Sequence, residues 1–169
     1  NAPAEQTEHR RRMLVGLTGR VIEVGAGTGI NFPLYPPGVS EVLAAPGNAG
    51  MARDASVHPV DPLDGDAVAE LARRLQADLV VIGPEDPLVR GVAEAVRAQG
   101  IACFGPGPEA ARLEGSKAFA KEVMAAAGVP TGMAHVCETP DEVAAALDAF
   151  GAPYVVKDDG LAAGKGAVV

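Results

Sequence analysis

Short apolar runs alternate with stretches of helical period through residues 20–104. Residues 20–24, 41–45, 78–82 and 101–104 read as strands, and the third is strongly apolar and stops at Gly83-Pro84. Between them, Val68, Leu71, Ala72 and Leu75 share one face of a helix over 66–75. Val89, Val92, Ala93 and Val96 do the same over 87–99, with Pro87 at the start and Gly100 as the stop. Parallel strands need crossovers that lay helices on the sheet faces, so this alternation with short connections predicts an α/β fold with a doubly wound parallel sheet.

The pattern changes after Gly105-Pro106-Gly107-Pro108. Helical segments over 109–113 and 116–127 run into Gly128-Val129-Pro130, and a strand is expected at 133–136. Thr139-Pro140-Asp141-Glu142 is a capping box, with Thr139 as the cap and Glu142 reaching back to it. Val143, Leu147 and Phe150 are expected to form the buried stripe of that helix, and a strand over 153–157 follows. The expected organisation is a Rossmann-like domain over 1–105, linker helices over 106–130 and a small lid subdomain over 131–169. No internal repeat is seen.

Hydrophobic residues make up 48% of the chain but aromatics only 4%, and there is no Trp, so Ala, Val and Leu must fill the core. The net charge of -8 argues against a nucleic-acid partner, whose affinity rests on neutralised phosphates. Arg10-Arg11-Arg12 reads as a solvated helix face. Cys103 and Cys137 match no metal-ligand spacing and suit two thiols of a reducing cytosol, so a cytoplasmic location and no metal site are expected. No apolar run reaches transmembrane length and no signal layout opens the chain, so no membrane partner is expected. Asn1 is not a natural start residue and the chain stops soon after a Gly-rich loop, so further sequence is expected on both sides.

Two glycine-bearing loops carry the chemistry. The first is Val21-Ile22-Glu23-Val24-Gly25-Ala26-Gly27-Thr28-Gly29, a strand running into a turn that a ligand can approach closely. With Asn31-Phe32-Pro33-Leu34-Tyr35-Pro36-Pro37-Gly38-Val39 after it, the segment 8–42 resembles the first motif of class I S-adenosylmethionine methyltransferases. That resemblance implies S-adenosylmethionine against Gly25, Gly27 and Gly29, with Glu23 before them and an acid at the end of the next strand. The next strand ends Leu43-Ala44-Ala45-Pro46, without one. The structural alternative is a glycine turn capping the first strand. Pro33, Pro36 and Pro37 forbid a long helix, so the first crossover should be short and stiff.

The second loop follows Tyr154-Val155-Val156 and reads Lys157-Asp158-Asp159-Gly160-Leu161-Ala162-Ala163-Gly164-Lys165-Gly166. Glycines that free backbone N–H groups, flanked by lysines, suit a mobile loop closing over phosphates. It is preceded by Ala45-Pro46-Gly47-Asn48-Ala49-Gly50, Val81-Ile82-Gly83-Pro84-Glu85-Asp86-Pro87, Phe104-Gly105-Pro106 and Leu113-Glu114-Gly115-Ser116-Lys117. In order and spacing these resemble the glycinamide ribonucleotide synthetases (phosphoribosylamine–glycine ligases) of the ATP-grasp family, over 42–169.

The resemblance implies that Gly47, Asn48, Gly83, Pro84 and Glu85 face phosphoribosylamine and that Lys117 and Lys157 contact ATP phosphates. Gly160, Gly164, Lys165 and Gly166 would form the flap, with Asp159 shaping its turn rather than binding metal. The implied reaction forms glycyl phosphate from ATP and glycine, with Mg²⁺, and the amine of phosphoribosylamine then attacks it. The family's metal carboxylates follow the flap, so this chain alone is expected to be inactive, and its unpaired lid edge is expected to self-associate. The family's usual first turn carries Arg-Glu-His, which is absent here. The chain therefore reads as a methyltransferase-like unit over 1–42 joined to a synthetase-like body from 43. An S-adenosylmethionine-binding domain and a non-catalytic α/β scaffold are the alternatives.

Overall fold

The computed structural model describes residues 2–46, 51–53, 55–161 and 166–168. Gly47, Asn48, Gly164 and Lys165 lie outside the described residues. The chain divides into two compact units, Asn1–Pro108 and Glu109–Val169.

The first unit is built on a five-stranded sheet of order β3-β2-β1-β4-β5. Its strands are β1 (Gly19–Val24), β2 (Val39–Ala45), β3 (Ser56–Val57), β4 (Leu79–Ile82) and β5 (Ala102–Phe104). Every pairing is parallel, with Ile22 opposite Leu43 on one side and Val80 on the other. Val21, Ile22, Glu23 and Val24 are all buried although alternate residues face opposite sides, so the central strand is covered on both faces. This is the doubly wound sheet that the alternation predicts. The two-residue β3 is too short to carry a periodic signal in the sequence.

Two helices, α2 (Gly65–Arg74) and α4 (Val92–Ala98), pack side by side. The Asp64 carboxylate caps α2 by accepting from the Ala67 amide at 3.0 Å, and Val68, Ala69, Leu71 and Ala72 are buried. The single helix expected over 87–99 is instead two, α3 (Glu85–Val89) and α4. The break falls at Gly91, whose φ of 80° is left-handed and accessible to glycine, and its carbonyl accepts from Glu94 and Ala95 to start α4. Pro87 is buried inside α3 rather than opening the helix. Val92, Ala93 and Val96 are buried as expected, whereas Val89 is only half-buried.

The first crossover holds only a 3₁₀ turn, Phe32–Leu34, in keeping with its prolines. Ahead of the sheet, α1 (Ala2–Leu14) carries the arginine run. Arg11 and Arg12 pair with Glu8 in solvent, at 2.9 and 3.4 Å, while Arg10 donates to Asn31 Oδ1 at 2.9 Å. The run is therefore partly a solvated face and partly a tether to the crossover.

The second unit contains α5 (which begins at the boundary, Pro108–Gly115), α6 (Lys117–Ala126), α7 (Pro140–Phe150) and an antiparallel pair, β6 (Val156–Lys157) with β7 (Ala167–Val168). Both halves of the Thr139–Glu142 capping box form. Three expectations fail. Residues 133–136 form no strand, and the strand expected over 153–157 shrinks to β6. The stripe of α7 is not buried: Val143 and Leu147 are half-buried and Phe150 is 36% exposed. Strands need a ladder partner and a stripe needs a covering layer: among the described residues β6 pairs with only the two residues of β7, 133–136 have no ladder partner, and α7 is covered only in part, with the His135 ring set edge-on to Phe150 at 4.9 Å.

No helix among the described residues is long and apolar enough to cross a membrane. Cys103 and Cys137 are free thiols.

Candidate functional site

In the first unit, the C-terminal ends of β1, β2 and β4 converge. The Gly25 amide donates to the Ala45 carbonyl at 3.0 Å, and the Gly83 amide donates to the Val24 carbonyl at 3.2 Å. A Cβ on Gly25 would lie 2.2 Å from Pro84 Cγ. The glycine turn after β1 and the Gly83-Pro84 turn after β4 therefore touch, at the point of the sheet where the strand order reverses, the usual place for a ligand crevice in such folds. Gly25 and Gly27 are exposed there, and Glu85 is exposed at the first position of α3. Gly29 is not open to a ligand: it is buried against the Phe32 ring, which a Cβ would meet at 2.7 Å.

Glu23 is only 3% exposed. Its Oε1 accepts from Asn31 Nδ2 at 2.9 Å and from the Tyr35 hydroxyl at 3.0 Å, while Oε2 is buried without a hydrogen-bond partner. Burial, and then the neighbouring Glu23 carboxylate, push the Tyr35 hydroxyl above the ordinary tyrosine range. Glu23 thus serves the crossover, tying residues 31 and 35 back to the strand before them. β2 ends in buried Ala44 and Ala45 and offers no carboxylate to a ribose. An open groove of about 610 Å³ lies beside the crossover, lined by Phe32, Tyr35, Val39, Glu41 and Ala52 among others. Pro36 and Pro37 of the crossover also line it, but none of the residues expected from sequence to bind a ligand does.

In the second unit, Lys117 Nζ donates to the Gly160 carbonyl at 2.6 Å, which brings a lysine of α6 to the root of the glycine loop. The partner is a neutral backbone carbonyl rather than a carboxylate. Asp159 sits between the two. Its Oδ2 accepts from Ser116 Oγ at 2.9 Å, and its Oδ1 accepts from the amides of Lys117 and Ala118. The Ser116 hydroxyl first, and those amides after it, hold the Asp159 carboxyl below the usual carboxylate range. Lys157 is exposed in β6 opposite Ala167, and the Asp158 amide donates to the Gly166 carbonyl at 2.8 Å, which pins the two ends of the loop together.

Two contacts here escaped sequence reading. The fixing of Asp159 on the start of α6 joins residues more than forty positions apart, and its only local signal is an Asp before a Gly at the end of a strand. Lys121 Nζ donates to Thr131 Oγ1 at 2.6 Å and to the Gly132 carbonyl, and nothing in its spacing announces that. No group of three or more His, Cys, Asp or Glu side chains converges as a metal site among the described residues.

The profile described as "Phosphoribosylglycinamide synthetase, N domain" matches residues 34–114, and that described as "Phosphoribosylglycinamide synthetase, ATP-grasp (A) domain" matches residues 115–169. The first match reaches back into the segment whose sequence resembles a methyltransferase motif. A phosphoribosylamine–glycine ligase of Streptomyces coelicolor is 69% identical over 133 residues, covering 79% of this chain and 32% of that protein. One of Mycobacterium bovis is 57% identical over 159 residues, covering 89% of this chain and 38% of that protein. The chain thus spans about a third of the length of these curated relatives. The crystal structure of phosphoribosylamine–glycine ligase from Thermotoga maritima superposes with a TM-score of 0.66 at 34% identity, covering 88% of this chain and 35% of that one. These matches lend nothing to an S-adenosylmethionine domain. A doubly wound parallel sheet, a capped helix led by Ser116-Lys117 and a lysine-flanked glycine loop, in this order and matched along the chain, make it a member of the phosphoribosylglycinamide synthetase family.

Proposed function

We propose that this chain carries the amine-substrate crevice and part of the nucleotide lid of an ATP-dependent ligase that joins glycine to 5-phosphoribosylamine in purine biosynthesis. A carboxylate oxygen of glycine attacks the γ-phosphorus of ATP, releasing ADP and forming glycyl phosphate. The amine nitrogen of phosphoribosylamine then attacks the carbonyl carbon, and phosphate and a proton leave. Such chemistry rests on positioning and on neutralising the transferred charge.

The observation that carries this reading is the Lys117–Gly160 hydrogen bond, 2.6 Å long and spanning 43 positions, which gathers a lysine and the glycine loop at one place. Lys117 and Lys157 would neutralise phosphate charge, and Gly160 and Gly166, with Gly164 and Lys165 outside the described residues, would close over the triphosphate. Gly83, Pro84 and Glu85 would face the phosphoribosylamine, with Gly47 and Asn48, also outside the described residues. The family's Mg²⁺ belongs beside the phosphates, and the described residues do not build a site for it. The outer edges of the two-stranded β6–β7 pair are where a second copy would add.

The test is glycine- and phosphoribosylamine-dependent ADP release. The 169-residue chain alone should release none, and the chain fused to the remainder of the Streptomyces coelicolor relative should release it. Lys117→Ala in the fusion should cut kcat/KM by about tenfold or more, the worth of one ~1.4 kcal/mol contact to the transferring phosphate. A folded fusion that releases no ADP would overturn the reading.

A further inference from the structure

Asp159 is used neither by the family reading, which leaves it as a turn residue, nor by the chemistry above. Helix α6 presents its first backbone amides in a row, and each has a partner. Phe119 N–H donates to Ser116 Oγ at 3.1 Å and Ala120 N–H to the Ser116 carbonyl at 3.0 Å. Lys117 and Ala118 N–H both donate to Asp159 Oδ1, the latter at 3.2 Å. The Ser116 hydroxyl, while accepting from Phe119, donates to Asp159 Oδ2 at 2.9 Å. A carboxylate at the positive end of a helix is favourable in itself. Here it arrives from the loop, and the residue after it, Gly160, offers the carbonyl that Lys117 Nζ holds.

Two consequences follow. The amino end of α6 is filled by the protein's own anion, so a phosphate cannot bind there without displacing Asp159 and must be met by the lysines and the loop. The position of the Lys117 ammonium also depends on where Asp159 fixes the Gly160 carbonyl. We propose that Asp159 is the positioning residue of the glycine loop: its carboxylate pins residues 159–160 to the start of α6 and thereby aims the Lys117 ammonium. The geometric part stands on the contacts above, and its importance for catalysis rests on reading Lys117 as a phosphate contact.

The experiment is competitive trace acetylation of the 169-residue chain, reading each lysine by mass spectrometry, with circular dichroism as the check on folding. Lys121, held by Thr131 and Gly132 in the same unit, is the internal control. In Asp159→Asn the Lys117 rate should rise by about threefold or more, as expected when one net hydrogen bond is lost, with Lys121 unchanged. Ser116→Ala should give a smaller rise, and Asp159→Glu should restore part of the protection. An unchanged Lys117 rate in Asp159→Asn overturns the proposal, and so does a parallel rise at Lys117 and Lys121, which marks a general loosening of the unit. Inorganic tripolyphosphate separates the two readings. If it fails to protect Lys117 in the parent chain while Asp159→Asn still frees Lys117, the phosphate reading falls and the positioning role stands.

Discussion

The Tyr35 hydroxyl donates to Glu23 Oε1 over 3.0 Å and so fastens the first crossover to the strand it leaves. That crossover contains no long helix, and its prolines allow a single 3₁₀ turn. Part of the task of a packed helix passes to four side chains, Tyr35, Glu23, Asn31 and Arg10, with Asn31 bonding both Glu23 and Arg10. Because Glu23 Oε2 already lacks a partner, Tyr35→Phe removes one of two bonds to a buried carboxyl. The expected cost is about 1–3 kcal/mol in urea unfolding, more than a surface hydroxyl is worth. A change within about 0.5 kcal/mol would show that the bond is not formed in solution.

The same contact sets an alkaline limit. Tyr35 ionises above the ordinary tyrosine range in the folded state, from burial first and Glu23 second, so the fold holds that proton more tightly than the unfolded chain does. Stability from this group is complete below ~pH 10, where an unfolded tyrosine ionises, and falls as the pH rises beyond it. In a Tyr154→Phe protein, where Tyr35 is the only tyrosine left, tyrosinate absorbance should grow only together with loss of helical circular dichroism. Absorbance that grows on an intact fold contradicts this.

Gly25 and Gly27 both have left-handed backbones, with φ of 72° and 61°, but different surroundings. A Cβ on Gly25 meets Pro84 Cγ at 2.2 Å, whereas one on Gly27 meets nothing within 4 Å. Gly27→Ala should cost only the left-handed strain, about 1–2 kcal/mol. Gly25→Ala should cost more, because the turns after β1 and β4 must also separate. Equal unfolding midpoints for the two variants would mean that these turns do not touch.

Thr139→Ala removes the hydroxyl that accepts from the Glu142 amide at 3.3 Å and leaves Glu142 to reach back alone. The helix α7 buries no residue, so little packing compensates. Local opening of its first turn should become easier by about 1 kcal/mol, read from amide exchange, with the exchange of the parallel sheet unchanged.

Exchange along the whole chain should be sharply uneven. The amides of Ile22 and Val80 lie in a ladder buried on both faces and should exchange slowest. Residues 133–136 belong to no helix or strand, and Met133 and Val136 are exposed, so they should exchange fast. Uniformly slow exchange from 133 to 168 would show that this stretch is structured in solution.

Apolar runs bounded by Gly and Pro were enough to place the central strands, because a strand covered on both faces has to be apolar nearly throughout, as Leu79–Ile82 is. The capping box at Thr139 was equally readable, since its partners lie within a few residues. The expected strand at 133–136 and the expected buried stripe of α7 failed for one reason: both patterns describe a surface seeking a partner, and the pattern is present whether or not the partner is. Gly91 broke a helix that periodicity drew as continuous, because the phase of the apolar face survives a one-residue turn. Residue types and local spacing thus settle which segments are strands and helices and where lysines and glycines cluster. That Glu23 turns inward to Tyr35, that Gly25 abuts Pro84 and that Asp159 fills the start of α6 are contacts across 12, 59 and 43 positions, and only the folded chain, which brings distant residues within bonding range, establishes them.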